Sequence, residues 1–166
     1  METKDKVQQI LDENLYLTVS VATLTGEPWI ANLYYVVDSN YTFYWYSSKN
    51  TKHSELIRQN PKVALCIFNS TATEDDVDAV YVKALAFEMS DISEIAKSLL
   101  PFGKKMLATG FVNGKDALNR FVSGVKDFTG ESALRLYKAD PLEIYKLAPS
   151  QEHNGKYIDS RIRIEI

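Results

Sequence analysis

Apolar and polar residues alternate along most of this chain, and the alternation gives way to helical spacing in only a few places. From Leu15 to Thr23, the residues Leu15, Leu17, Val19 and Val21 fall on one face and Tyr16, Thr18, Ser20 and Ala22 on the other, which is the period of a strand. Thr25-Gly26-Glu27-Pro28 reads as a turn. A second strand is predicted from Trp29 to Val37, then a short Asp38-Ser39-Asn40 turn, then an aromatic strand from Tyr41 to Tyr46. In that strand Tyr41, Phe43 and Trp45 share one face, and Thr42, Tyr44 and Tyr46 share the other. Three successive strands joined by two tight turns predict an antiparallel meander.

Helical spacing first shows in Lys4 to Glu13, where Val7, Ile10 and Leu11 make an apolar stripe, Thr3 can serve as cap, and the helix is expected to pack on the outside of a sheet. A second helix opens at Asn50 or Thr51, buries Leu56 and Ile57, and stops at Pro61. Lys62 to Asn69 carries Val63-Ala64-Leu65-Cys66-Ile67-Phe68 without a polar break, which predicts a strand buried on both faces. In a small barrel one face of such a strand lines the interior, and the other is covered by a helix or a second subunit.

Ala79 to Met89 alternates again, with Val80, Val82, Ala84 and Ala86 set against Tyr81, Lys83, Leu85 and Phe87. Asp91 or Ser93 then caps a helical stretch bearing Ile92, Ile95, Ala96, Leu99 and Leu100, which Pro101 and Gly103 are expected to interrupt. Asn113-Gly114 marks a turn, and Ala117, Leu118, Phe121, Val122 and Val125 outline a second short amphipathic helix. Strands from Ala133 to Lys138 and from Leu142 to Leu147, separated by Ala139-Asp140-Pro141, and a last one from Lys156 to Ile166, close the chain. About seven strands and three or four helices favour a mainly β fold, an antiparallel barrel with peripheral α-helices in a single domain spanning 1–166.

Composition narrows the function rather than the fold. The 166 residues are 45% apolar and 25% charged, ordinary for one globular domain with a real core. A net charge of -3 makes no electrostatic case for nucleic acid or an anionic membrane. No apolar run reaches transmembrane length and no signal peptide is evident, so a cytoplasmic protein is the default expectation. The single cysteine, Cys66, cannot form an internal disulfide, and its apolar run predicts a buried, inert thiol. Several of the ten tyrosines cluster on neighbouring strands, which suits a planar ligand or an interface as well as a plain sheet.

The stretch that promises chemistry is the turn opening the second helix. Lys49 and Lys52 stand where the helix dipole disfavours cations, beside the hydroxyls of Ser47, Ser48 and Thr51. Free N–H groups, hydroxyls and two ammonium groups can hold a phosphate; the plain alternative is solvated lysines, with Lys52 pairing to Glu55. His53 and His153, the only histidines, have no partner at metal-ligand spacing, and the acidic run Glu74, Asp75, Asp76 and Asp78 lacks the spacing and glycine of a calcium loop. No P-loop, Gly-x-Gly-x-x-Gly or Gly-x-Ser-x-Gly is present. Cys66 and His53 could in principle form a nucleophile pair, but a cysteine in a strand core is structural far more often. An enzyme built on this chain would leave the chemistry to a cofactor.

The order of these elements resembles the pyridoxamine-5'-phosphate-oxidase-like, FMN-binding split barrels. The residues that carry the resemblance are the Gly26-Glu27-Pro28 turn, Ala31-Asn32-Leu33-Tyr34-Tyr35, the aromatic strand, Lys49-Asn50-Thr51-Lys52-His53, and Asn60-Pro61 before the Val63 strand. It covers Leu15 to Asp91 well and the last third only in general plan, and it is closest to the family's small uncharacterised bacterial members. It implies a Greek-key split barrel of six strands, forming a homodimer with FMN in clefts at the interface. Asn32, Leu33 and Tyr34 would run along the flavin. Trp45 and Tyr46 would give backbone contacts, and Ser47, Ser48, Thr51 and Lys52 would hold the phosphate. The chain departs from the family pattern at Ala31, where an arginine is usual, at Thr51, where arginine or serine is usual, near Ala79, where a glutamine meets the ring, and at Ala84, where glycine is usual. Arg161 and Arg163 do not reproduce its substrate motif, so pyridoxine-phosphate oxidation is not carried over. The resemblance implies a flavin-dependent oxidoreductase acting on a small molecule, with no catalytic residue evident. The alternatives are a flavin store or sensor without turnover, a barrel for another planar ligand such as haem or a deazaflavin, and a dimeric scaffold with a vestigial cleft.

Overall fold

The computed structural model describes residues 3–73, 77–111, 119, 121, 124–148 and 160–165, together with the backbone of 151–153 and 156–158. In order these form α1 (Thr3–Glu13), β1 (Tyr16–Ala22), β2 (Pro28–Val37), β3 (Phe43–Ser48), α2 (Lys52–Gln59), β4 (Lys62–Phe68), β5 (Ala79–Glu88) and α3 (Ile92–Ala108). A 3-10 turn (Val125–Phe128) and the strands β6 (Leu134–Leu147), β7 (Gln151–His153), β8 (Lys156–Ile158) and β9 (Arg161–Ile164) follow. The sheet runs β3-β2-β1-β4-β5-β6-β9, and β3 also pairs with β6. That extra pairing closes the first six strands into an antiparallel barrel, with β4 returning beside β1 in Greek-key order. The expected split β-barrel fold is thus the observed one.

Alternation decides what each strand buries. Leu17, Val19 and Val21 of β1, Leu33 and Tyr35 of β2, Phe43 and Trp45 of β3, and Val63, Leu65 and Ile67 of β4 all face the barrel interior. Val7, Ile10 and Leu11 of α1 and Leu56 and Ile57 of α2 belong to this same core, so α1 completes the barrel's packing rather than lying on a separate sheet face. A second core lies outside the barrel wall. It joins Tyr34, Val36, Met89 and Leu136 to Ile95, Leu99, Phe102 and Met106 of α3 and to Phe128. β2 and β3 therefore carry apolar residues on both faces because they separate two cores.

Several sequence expectations are corrected. Tyr41 is not in a strand. It takes a left-handed backbone (φ 59°) in the turn, where the Asp38 carboxylate accepts from the Asn40 and Thr42 N–H groups at 2.9 and 3.0 Å. β4 is buried on one face only: Ala64 and Phe68 are exposed on the other, with Cys66 half-buried between them. α3 runs through Pro101 without a break, because Ile95, Leu99, Phe102 and Met106 on either side of it share one buried stripe. The packing of that stripe outweighs the one hydrogen bond a proline removes.

Residues 134–147 form one strand where two were expected. Pro141 sits at a bulge, opposite the register shift between Lys83 and Ala84. Pairing with β3 ends at Ala139 and pairing with β9 begins at Ile144, so the missing N–H of Pro141 interrupts no ladder on that side. The last expected strand is divided instead into β8, which pairs with β7, and β9. The expected Asn113-Gly114 turn and the Glu74-Asp75-Asp76 run lie outside the described residues, as does most of the helix expected from Ala117 to Val125.

One cation ties α1 and α3 to the barrel. Lys105 of α3 donates to the Asn14 carbonyl at 2.8 Å, approaches the Leu11 carbonyl at 3.5 Å, and lies 3.8 Å from the Tyr35 ring centroid. Tyr35 Oη donates to the same Leu11 carbonyl at 2.7 Å. Burial lowers the Lys105 pKa to about 8, against a partial opposing pull from Asp12. The folded protein therefore binds this proton less tightly than the unfolded chain, and stability rises as pH increases from about 8 towards the ordinary lysine value of 10.5. The unfolding free energy should climb between pH 8 and pH 10 in the wild type, and the Lys105→Met variant should lose that climb. Denaturant melts across this range decide it, and equal slopes for the two proteins would contradict the assignment.

Candidate functional site

The β3–α2 turn is shaped by its own hydroxyls. Thr51 is the N-cap: its Oγ1 accepts from the Ser54 N–H at 3.4 Å. The same oxygen lies 3.0 Å from the Ser48 carbonyl, 2.8 Å from Ser54 Oγ and 3.1 Å from His53 Nε2. Ser47 Oγ is 2.8 Å from that ring nitrogen, and Ser48 Oγ accepts from the Asn50 N–H at 3.3 Å. His53 is buried, and burial pushes its pKa below the usual value, which keeps the ring neutral and able to accept from Ser47.

The two lysines stay outside this network. Among the described residues neither Lys49 nor Lys52 joins an ion pair, and Lys52 makes none with Glu55. The first turn of a helix leaves N–H groups without intrahelical partners. Thr51 satisfies that of Ser54, which leaves the amides of Lys52 and His53 for a ligand. Two free ammonium groups beside unpaired amides and the Ser48 hydroxyl are a donor set suited to a phosphate.

The strand residues expected along a flavin are placed differently from one another. Asn32 is exposed on the outer face of β2, where its Oδ1 accepts from Thr18 Oγ1 at 2.7 Å. Leu33 and Trp45 point into the barrel core, so only their backbone can meet a ligand outside it. Tyr34 is buried beneath Phe111, with ring centroids 4.4 Å apart, and burial raises its pKa. Tyr46 packs against Phe102, Phe121 and Phe128 at 5.7, 5.6 and 6.1 Å. α3 and the segment after it thus cover the rings of both tyrosines.

The pairing of β2 with β3 is short. The two strands pair only through residues 35–37 and 43–45. Beyond Trp45, β3 continues to Ser48 against β6, while β2 continues from Tyr34 back to Pro28 against β1. The edges of residues 31–34 and 46–48 that would face each other across the split are left without a strand partner, and the split ends at the Ser47–Lys52 turn. The cationic turn has a donor set of the kind an FMN phosphate takes, and the unpaired strand edges carry backbone groups that could bond a flavin ring. The flavin does not fit against the Tyr34 ring while Phe111 is stacked there.

Sequence reasoning missed a polar cluster behind the turn. Glu88, at the end of β5, pairs with Arg58 of α2 at 3.1 Å and with Arg135 of β6 at 3.2 Å, and accepts from Tyr137 Oη at 3.2 Å. Arg58 Nη2 also donates to the Lys49 carbonyl at 2.7 Å, and the Lys49 N–H donates to the Ala133 carbonyl at 2.8 Å. These residues come from three separate elements, so no spacing in the sequence could have announced them. A carboxylate closing β5 was the only hint.

Among the described residues, no helix covers the outer face of β1, β4 and β5. Ile30, Ser20, Ala64 and Lys83 form one cross-strand row, and Asn32, Thr18, Cys66, Tyr81 and Tyr145 form the next. A groove of about 400 Å3 lies over them, edged by Arg161, whose guanidinium is 4.1 Å from the Tyr81 ring centroid. The Cys66 thiol sits in this groove, not in the core, and partial burial raises its pKa. Among the described residues no cluster of His, Cys, Asp and Glu could hold a metal ion, and no helix is long and apolar enough to cross a membrane.

No protein-family model matches the chain, and a search of curated proteins finds no match. Solved structures do match. HutZ, the heme storage protein from Vibrio cholerae, is 14% identical with a TM-score of 0.65, over 85% of this chain and 91% of that one. A FAD-binding protein from Mesorhizobium loti is 15% identical with a TM-score of 0.61, over 88% and 94%. A Listeria innocua protein provisionally named a pyridoxamine 5'-phosphate oxidase is 20% identical with a TM-score of 0.56, over 86% and 96%. At these identities the similarity is one of fold.

His53 gives the site a measurable signature. Its pKa is lower folded than the ordinary 6.5, so the stability it contributes is full above that value and is lost as pH falls through and below it. The His53→Gln variant should show a smaller loss of stability than wild type between pH 7 and pH 5. Thermal melts of both proteins test this, and parallel pH profiles would show that the ring is not held neutral.

Proposed function

We propose that the chain is an FMN-binding protein of the split-barrel type, in which the phosphate rests on the Ser47–Lys52 turn and the ring lies along the β2–β3 split. The observation that carries this reading is the pair of ammonium groups, Lys49 and Lys52, left without acidic partners at a helix start that opens into an unpaired strand edge. When bound, FMN supplies two-electron oxidation and reduction of a small molecule, so flavin-dependent oxidoreductase is the reaction class this cleft best serves. The chain's own residues would neutralise the phosphate with Lys49 and Lys52, orient it with the Ser48 hydroxyl and the Lys52 and His53 amides, and present the Asn32 amide at the far end. His53 Nε2 is committed to Ser47 and Thr51, so that nitrogen is not an axial ligand for haem as it stands. The names of the matched proteins support a flavin or haem role for the fold, and the cationic turn favours the flavin.

The same reading makes the protein a homodimer, with the partner copy lying on the exposed outer face and bordering the cleft. The support is the row of small and aromatic residues there, with Ile30 65% and Phe68 50% exposed. A cytoplasmic location agrees with this chemistry and with the lone unpaired cysteine.

An absorbance spectrum of the purified protein, taken again after adding FMN and desalting, tests the cofactor. Retained flavin bands are expected, and Lys52→Met should weaken FMN by roughly tenfold or more, in line with the loss of one charge-assisted contact. A protein that stays colourless at micromolar FMN would overturn the reading. Light scattering should give a dimer for wild type and a monomer for Ala64→Arg, because a guanidinium at the centre of the outer face cannot be buried without a partner.

A further inference from the structure

The chain lacks a guanidinium in the phosphate turn itself, since the position before Lys52 is Thr51. The fold brings one there from elsewhere. Side chains of a helix lean towards its N-terminus, so Arg58, near the end of α2, reaches back along the helix to the turn. Its Nη2 bonds the Lys49 carbonyl at 2.7 Å, and its Nη1 bonds Glu88 at 3.1 Å. The side chain is 42% exposed, so this guanidinium borders solvent rather than core.

Glu88 would remain satisfied if Arg58 left it. Arg135 holds its other oxygen at 3.2 Å, and Tyr137 donates to it at 3.2 Å. Arg135 is fixed in turn by the carbonyls of Gly130, Ser132 and Leu134, at 2.6 to 2.7 Å. The cluster therefore has one immobile arginine and one exposed arginine sharing a carboxylate, with the exposed one at the edge of the anion turn.

From this geometry we infer that Arg58 is a specificity-determining residue of the site, a guanidinium that exchanges the Glu88 carboxylate for the phosphate of the ligand. The inference rests on the phosphate reading of the turn. Glu88 holds Arg58 at the turn when no anion is present and competes with the anion for it. Phosphorylated flavins are thereby favoured over unphosphorylated ones beyond what two lysines achieve.

Titration of wild type and variants with FMN and with riboflavin, followed by quenching of flavin fluorescence, separates the possibilities. Arg58→Met should weaken FMN by roughly tenfold and leave riboflavin unchanged, while Arg58→Lys, which keeps the charge and the fold, should fall between. Glu88→Gln should tighten FMN by about threefold, because it removes a competing charge from a partly exposed pair. If Arg58 were only a brace for the Lys49 carbonyl, Glu88→Gln would loosen the turn and weaken FMN instead, and that result overturns the inference. FMN affinity unchanged in Arg58→Met but lost in Lys52→Met also overturns it while leaving the phosphate reading intact. Equal wild-type affinity for FMN and riboflavin would overturn the phosphate reading itself.

Discussion

The pairing of β3 with β6 is the constraint on which the rest of the molecule depends. Six consecutive residue pairs, from Phe43–Ala139 to Ser48–Leu134, close the barrel. Beyond Trp45, β3 keeps β6 as its neighbour but no longer pairs with β2. The adjoining β5–β6 ladder sets Tyr137 opposite Glu88, and Arg135 reaches the same carboxylate directly behind the Lys49 turn. The closing seam and the polar cluster share β6.

That arrangement asks β2 and β3 to serve two interiors. Leu33, Tyr35, Phe43 and Trp45 are buried with the barrel residues, and Tyr34 and Val36 with α3. The aromatic character of this stretch follows from the task, since a wall between two cores has no face for polar residues except at its ends. Hydroxyls and lysines appear where β3 runs out of neighbours. Trp45 Nε1 remains buried without a hydrogen-bond partner, a cost the barrel bears for the area this ring buries against Tyr137.

Much of the barrel was legible because burial alternates along β1 and, from Val80 onward, along β5, and because Thr51 and Asp91 are caps of a standard kind. The meander order and the helix between β3 and β4 followed from local rules. Where the reading failed, a distant contact outweighed a local signal. Pro101 suggested a break, but the buried stripe of α3 overrides it. Pro141 suggested a gap, and it is a bulge whose neighbouring strand happens to change there. The apolar run of β4 suggested two buried faces, and within the single chain one faces the core while Ala64 and Phe68 lie exposed on the other. The anion turn was visible as lysines in an unfavourable place. Arg58, Glu88 and Arg135 were not, because their meeting depends on a fold that brings together α2, β5 and β6. The covering of Tyr34 and Tyr46 by Phe102, Phe111 and Phe121 was invisible for the same reason.

A wall shared by two cores also bears on how such a chain can change over generations. Inserting one residue in the middle of β3 would exchange its two faces, sending Trp45 towards α3 and Tyr46 into the barrel, so both interiors would be spoiled at once. A strand with one solvated face would have lost only one. Length variation is therefore barred from β2 and β3 and from the short Asp38–Thr42 turn whose hydrogen bonds set their register. It is left to the connections outside the barrel, such as the long one between α3 and β6. Relatives that differ in what they bind are thus expected to differ in the cover laid over this wall far more than in the wall itself.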